Sequence, residues 1–477
     1  MSSSAAQVAR ERAIAELVRV SPVIKALGEQ FTGAGHEVSL VGGSVRDALL
    51  GRLGNDLDFA TSAHPDEVER LLTGHVEALW AIGKEFGTIG CRIGQIVCEI
   101  TTYRTEQYAS ESRKPDVRYG TTLEGDLARR DFSVNAMAVR LPNLEFVDPF
   151  GGADDLAASL LSTPGRPEDS FGDDPLRMLR AARFAAQLDF AIAPDVLAAM
   201  TAMAGRLAIV SSERIRDEFS KLLLSSRPRA GLAILVETGL ANEFIPELPA
   251  LQLEVDEHHR HKDVYEHTLT VVEQAMDLET DGPDLTLRLA ALLHDIGKPA
   301  TRRFEEGGGV SFHHHEMVGA RMTRKRMKAL RYPKELIDDV AVLVELHLRF
   351  HGYAEGEWTD SAVRRYVRDA GPLLPRLHAL TRADCTTRNR RKAALLSRAY
   401  DQLEERISVL AEAEELAAIR PDLDGNQIMA VLKIPPGRAV GEAYQFLLEQ
   451  RLDRGPLGEE EATAVLKKWW ARRQEAQ

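Results

Sequence analysis

The stretch "LVGGSVRDALLGRLGNDLDFAT", Leu40 to Thr61, decides the reading of the chain. Gly42 and Gly43 follow a short apolar run, Arg46 comes next, and Asp56 and Asp58 then flank Leu57. "HEVSLVGG" and "DLDFAT" both read as short strands. Side chains alternate faces along a strand, so both aspartates leave the same face. Two carboxylates side by side repel, and a divalent cation that prefers hard oxygen ligands relieves the repulsion; Mg²⁺ is the natural choice. Such a pair suits two-metal phosphoryl transfer. The glycines let backbone amides approach a triphosphate, and Arg46 adds a cation on the opening turn of a helix, whose N-terminus also favours phosphate. A Walker A loop is excluded, because G-x-x-x-x-G-K-[ST] is not present here.

The bulk properties frame this reading. At 477 residues the chain is long enough for two to four domains. Its 44% hydrophobic content is ordinary for a globular protein. Cys91, Cys98 and Cys385 share no metal-like spacing and fit reduced thiols. No signal-like start and no run of about 18 apolar residues occurs, so a cytoplasmic protein without membrane association is expected. The formal net charge of −13 argues against a general nucleic-acid binder. Basic runs at Arg321–Lys334, Arg388–Lys392 and Lys467–Arg473 qualify that, although a solvated helix face is the plainer reading of each.

Along the chain, residues 1–32 read as helix, and "TIGCRIGQIVCEITTYR" reads as a hairpin broken at Gly94. The polar stretch from Arg104 to Thr121 reads as a mobile loop. From "DDPLRMLRAARF" (Asp173–Phe184) and "ERIRDEFSKLL" (Glu213–Leu223) onward the periodicity is helical.

In "DDPLRMLRAARF", Asp174 and Arg177 stand three apart, as helical neighbours do. A carboxylate accepts from an exocyclic amine and a guanidinium donates to a ring acceptor. Cytosine and adenine both offer an amine beside a ring acceptor, whereas G and U offer a carbonyl there. One Asp/Arg pair therefore selects C and A without a template. Arg180 and Arg183 continue the stripe, suited to ribose or phosphate. An ordinary helical salt bridge is the alternative reading of the same residues.

These motifs, in this order, resemble the nucleotidyltransferase superfamily that includes DNA polymerase β. More narrowly they resemble the bacterial tRNA CCA-adding enzymes and poly(A) polymerases. "RRDFSVNAMA" (Arg129–Ala138) looks like the second family motif, which implies that Arg130 touches nucleotide phosphates. "DPFGG" (Asp148–Gly152) looks like the hinge, and Asp173 stands where the family usually has Glu. Glu99 is a candidate third acidic group. "IGKEFGTIG" (Ile82–Gly90) looks like the CCA-adding form, since poly(A) polymerases carry a basic G-R-R-F-like segment there. The resemblance implies CTP and ATP as substrates, tRNA as partner, pyrophosphate release, and a loop between Arg104 and Gly120 used in the C-to-A switch. A poly(A) polymerase, or a partial A- or C-adding enzyme, is the alternative.

A second constellation follows. His267, the pair His294–Asp295 in "LLHDIGKP", the run His313–His315, His347 and Asp384 are spaced over several helices. Imidazoles and carboxylates from separate helices suit a transition metal, Mg²⁺ or Mn²⁺ with an activated water. The order H…HD…H…H…D resembles the HD superfamily of metal-dependent phosphohydrolases. That resemblance implies His267, His294, Asp295, His315, His347 and Asp384 as ligands, with His315 chosen because it precedes Glu316.

The expected fold class is α+β. A polymerase-β-like nucleotidyltransferase head with a small mixed sheet spans 1–160, and a helical neck that reads nucleotide and RNA spans 161–255. An HD domain spans 256–392. A helical tail spans 393–477, in which "DGNQIM…IPPGRAVGEAY" resembles tRNA-holding tails and Trp469 and Trp470 fit core packing better than base stacking.

Overall fold

The computed structural model describes residues 15–107, 116–252, 264–305, 309–350, 353, 358–386, 390–414 and 420–475. The chain divides into two compact units, Met1–Pro249 and Ala250–Gln477.

In the first unit, helix α1 (Ser21–Gly33) leads into a seven-stranded mixed sheet. Its strands are β1 (Val38–Val41), β2 (Asp56–Thr61), β3 (Ala78–Trp80), β4 (Thr88–Ile93), β5 (Ile96–Thr102), β6 (Ala138–Arg140) and β7 (Glu145–Val147). Their order across the sheet is β3-β4-β5-β2-β1-β6-β7. Strand β2 runs antiparallel to β1 and parallel to β5, so the carboxylate strand is central. Period-two alternation sorts its side chains: Leu57 and Phe59 are buried, Asp56 and Asp58 exposed. The β4–β5 hairpin turns around Gly94 as the sequence predicts, and it sets Cys91 opposite Cys98 in the core.

The stretch predicted as a mobile loop is partly ordered. Arg104–Gln107 and Asp116–Tyr119 form an antiparallel ribbon, and residues 108–115 lie outside the described residues. Polar residues at successive positions conceal a strand from a period-two reading, because backbone pairing alone needs no apolar face.

The sheet is followed by helices, among them α2 (Gly43–Leu49), inserted after β1, and then α3 (Leu176–Leu188) and α4 (Ser212–Leu223), which pack on one another. Helix α3 buries most of its length, including Leu176, Leu179, Ala182 and Ala186.

The second unit is helical apart from one short hairpin. Its helices include α5 (Val264–Met276), α6 (Leu285–Leu293), α7 (His315–Ala329), α8 (Lys334–Leu346) and α9 (Leu374–Ala383); α5, α8 and α9 pack around α6, whose Leu289, Ala290, Ala291 and Leu292 are fully buried, and α7 packs on α8. Toward the C-terminus, Leu423, Ile428, Ala443, Leu447, Ala462 and Leu466 form a separate small core. Trp469 stacks on Phe446 against it, centroids 4.9 Å apart, a packing role for this tryptophan. The sequence boundary at Glu254–His261, the first 14 residues and part of the basic run at Arg388–Lys392 lie outside the described residues. Among the described residues no helix is long and apolar enough to cross a membrane.

Candidate functional site

Three carboxylates share one face of the sheet in the first unit. Asp58 is the register partner of Glu99 on β5, so Glu99 projects from the same side as Asp56 and Asp58. Partial desolvation of the Asp58 carboxyl among its neighbours, although the residue keeps an exposed edge, raises its pKa above the usual carboxylate value. Arg130 and Arg46 oppose that rise, and Glu99 and Asp56 add to it by like-charge repulsion. Such a cluster is what a divalent cation relieves.

The glycine turn is tied to this strand. Ser44 on α2 is buried, and its hydroxyl oxygen accepts from the Asp58 backbone N–H at 2.9 Å. Gly42 adopts φ +67°, a left-handed conformation that side chains resist, and a Cβ there would lie 2.5 Å from Arg130 Nη1. The turn thus brings the Arg130 guanidinium directly over bare backbone beside Gly43. Arg130 also donates to Asp126 at 3.2 Å, while its buried Nε has no partner among the described residues.

Arg46 has a different task from the phosphate contact that the sequence suggests. It is 6% exposed, donates from Nε and Nη2 to Asp47, and donates from Nη1 to Asn135 Oδ1 at 2.6 Å. Asn135 donates in turn to Asp131 at 3.0 Å. Asp131 accepts from Arg180 Nε at 2.8 Å, Arg180 also reaches Glu218, and Glu218 accepts from Arg183. One buried polar chain therefore joins the four sequence motifs. Burial works against the charged form of Asp131, but Arg180, Asn135 and Arg177 outweigh it and hold its pKa at about 2.

This corrects the stripe reading of α3. Arg180 and Arg183 are committed to Asp131 and Glu218, and Arg183 is 8% exposed. Asp174 and Arg177 also do not stand as one helical i, i+3 pair. Pro175 holds Asp174 extended at φ −142° and ψ 102°, just before α3 begins. Asp174 accepts from the Leu176 N–H at 3.1 Å and from Arg214 at 2.6 Å. Arg177, in the first turn, donates to Ser170 Oγ at 2.9 Å and to the Arg129 carbonyl. Each group retains unused hydrogen-bonding sites, two or more lone pairs on the carboxylate and further N–H bonds on the guanidinium. Asp173 is exposed at the end of the preceding short helix.

The second unit gathers all six ligands named from the sequence. His267 Nε2 lies 2.9 Å from Asp384 Oδ1 and 3.5 Å from Asp295 Oδ2. His294 Nε2 lies 3.2 Å from Asp295 Oδ2, and His315 Nε2 3.2 Å from Asp295 Oδ1. His294, His315 and His347 each hold Nδ1 within 2.8 Å of the carbonyl three residues back, those of Ala291, Phe312 and Val344. Nδ1 donates there, which aims Nε2 inward. His267 Nδ1 meets Thr386 Oγ1 at 2.9 Å. Two ligand groups overlap at Asp295: His267, His294 and Asp295, and then Asp295, His315 and His347. Burial, reinforced by His294, lowers the His347 pKa to about 3, so its imidazole is neutral, and its buried Nε2 has no hydrogen-bond partner among the described residues. An orphaned neutral nitrogen inside a ring of imidazoles and carboxylates fits a metal. His313 and His314 are exposed and stay outside the cluster.

Several participants went unassigned in the sequence: Ser44, Asp131, Asn135, Arg214, Glu218, and Lys298, whose Nζ lies 2.5 Å from Asp295. Asp131 and Asn135 were legible in principle, being polar residues spaced i, i+4 within "RRDFSVNAMA".

A glycine turn and strand-borne carboxylates on a mixed sheet, joined in one chain to an HD-type histidine–aspartate cluster, define a nucleotidyltransferase with an HD domain. Comparison with known proteins agrees. "Poly A polymerase head domain" matches residues 38–162, "Probable RNA and SrmB- binding site of polymerase A" matches 189–251, and "HD domain" matches 264–389. The A-adding tRNA nucleotidyltransferase of Deinococcus radiodurans is 35% identical over 90% of this chain and 95% of its own. The CC-adding tRNA nucleotidyltransferase of Thermus thermophilus is 34% identical over 90% and 93%. The CCA-adding enzyme of Enterococcus faecalis is 30% identical over 93% of each. The fold matches the Bacillus stearothermophilus CCA-adding enzyme in complex with CTP at a TM-score of 0.69, with 24% identity, covering 97% of this chain and 99% of that one. The chain belongs to the tRNA nucleotidyltransferase family.

Proposed function

We propose that the chain adds C, C and A to tRNA 3′ ends from CTP and ATP, releasing pyrophosphate. The observation that carries this reading is the convergence of Asp56, Asp58 and Glu99 on one sheet face beside the Gly42–Ser44 turn, in a chain alike over 90% or more of its length to tRNA nucleotidyltransferases. Asp56 and Asp58, with Glu99 beside them, are the groups that would hold Mg²⁺. The metal, when bound, supplies the Lewis acidity that activates the attacking hydroxyl and steadies the leaving pyrophosphate. Arg130 and the Gly42–Gly43 backbone hold the triphosphate, with Arg46 fixing the turn from beneath. Asp174 accepts the amine of C or A, Arg177 donates to the neighbouring ring acceptor, and Arg180 and Arg183 brace the helix that carries the pair. Residues 1–160 serve as head and 161–255 as neck, with the tail from 393 holding the tRNA, in a cytoplasmic setting that suits the reduced thiols.

In the domain spanning 256–392, His267, His294, Asp295, His315, His347 and Asp384 would hold one or two divalent ions, with Asp295 shared between them. Bound there, a metal supplies an activated water for phosphoester hydrolysis. The Ala291, Phe312 and Val344 carbonyls, through Nδ1, keep three of the imidazoles oriented for it.

A second reading has its own support, because two of the relatives alike over nearly the whole chain are an A-adding and a CC-adding enzyme. Three tRNA substrates, ending before CCA, after C and after CC, separate the readings when incubated with CTP and ATP. Completion of all three supports the proposal. Arrest after CC, or extension of the CC-ended substrate alone, supports the partial enzyme. A long A tract on unrelated RNA overturns both. Asp174→Ala is expected to relax base choice, and intact C and A selection in that variant would remove the role assigned to Asp174.

A further inference from the structure

One register row of the sheet carries an unused aromatic. Reading outward from β2, Asp58 pairs with Glu99, Glu99 with Gly90, and Gly90 with Trp80. Register partners project from one face. The indole of Trp80 therefore stands on the carboxylate face, and the adjacent row, Leu57, Cys98 and Cys91, is buried on the other face. Gly90 makes room for it. A Cβ at Gly90 would overlap Trp80 Nε1 and Cε2, so the pyrrole edge of the indole lies directly over β4, in the row of Glu99. Trp80 is half-buried. The following connection leaves Ile82 88% and Phe86 51% exposed.

The position of this ring relative to the triphosphate side is informative. The Gly42–Ser44 turn and Arg130 flank β2 on its β1 and β6 side. Trp80 lies beyond β5, on the opposite side of the carboxylates. In-line transfer sets the attacking hydroxyl opposite the leaving pyrophosphate. With the triphosphate on the β1 side, the attacking RNA end comes from the β5 side. Strands about 4.8 Å apart place an indole over β4 roughly 10 Å from β2, within the span of one nucleotide.

We propose that Trp80 is a positioning residue that stacks on the terminal base of the RNA 3′ end and holds its hydroxyl against the carboxylate face. Stacking is tolerant of base identity, as a platform must be when the terminal base changes after each addition. The inference rests on the nucleotide-adding reading above.

Steady-state kinetics with tRNA lacking its CCA end tests it. Trp80→Ala is expected to raise KM for tRNA about 5- to 100-fold, the range lost with one base–aromatic stack. KM for CTP should change less than about twofold. Trp80→Phe keeps a ring and should recover most of the loss. Gly90→Ala leaves Trp80 in the chain but displaces its indole, and should reproduce the Trp80→Ala effect even if that variant fails to fold. An unchanged KM for tRNA in a folded Trp80→Ala or Gly90→Ala protein, or an equal rise in KM for CTP, overturns the proposal. Wild-type protein run alongside separates the two readings. If wild type extends tRNA and the variants match it, only the platform fails. If wild type adds nothing, the transferase reading fails and takes the platform with it.

Discussion

Asp131 organises the first unit more than any of the residues expected to touch substrate. It is almost fully buried, yet charged, because Arg180 and Asn135 both serve it. Its folded pKa of about 2 lies below an ordinary value of 3.8, so its ionisation stabilises the fold. The contribution is about 2 kcal/mol. It is fully present above about pH 4 and is lost as pH falls through 2. Asp131→Asn is therefore expected to lower stability by about 2 kcal/mol at pH 7, read by urea unfolding, with the gap to wild type closing below pH 3. A gap that persists unchanged at pH 2 would assign the loss to packing. Arg46 and Asp174 show the same principle from the other direction. Each is recognisable by type and spacing, but partner choice depends on groups 89 and 40 positions away, Asn135 and Arg214. No local pattern holds that information.

At the scale of elements, strand β2 and helix α6 show what is legible from an element's own residues. Period-two alternation in "DLDFAT" dictates which side chains are buried, whatever lies beside the strand. The apolar run of α6 reads as a buried helix for the same kind of reason: its residues must be buried, and Gly297 and Pro299 beyond His294 mark its end. Choosing among His313, His314 and His315 is different. His314 sits at φ +59° ahead of α7, and only His315 enters the helix with its Nδ1 held by Phe312. His315→Ala is expected to reduce the metal bound by the purified protein, measured by elemental analysis after reconstitution with Mn²⁺. His313→Ala should leave it unchanged. Equal metal content in both variants would remove His315 from the ligand set.

For the whole molecule, the two constellations fall in separate compact units. Asp56→Ala should abolish nucleotide addition, by roughly three orders of magnitude or more, in keeping with loss of a group that organises the transition state. It should leave the metal content of the histidine cluster intact. Asp295→Asn should empty that cluster and spare nucleotide addition. Loss of both properties in either variant would show the sites to be one functional unit.

Short-range period determined the carboxylate strand and the helical body, and the order of motifs, through the family resemblance it carries, pointed to the class of chain and to the histidines and aspartates that gather in the second unit. The strand and the helices depend on residue type and on neighbours within a turn or a strand. The tertiary structure alone decided how these parts are used. Sheet order brought Glu99 and Trp80 onto the face of Asp56 and Asp58. Packing of α3 on α4 turned Arg180 and Arg183 from exposed cations into partners of buried carboxylates. A strand's alternation is set by its own backbone. Which strand lies beside it, and which charge answers a buried charge, is set by the lowest free energy of the whole packed unit.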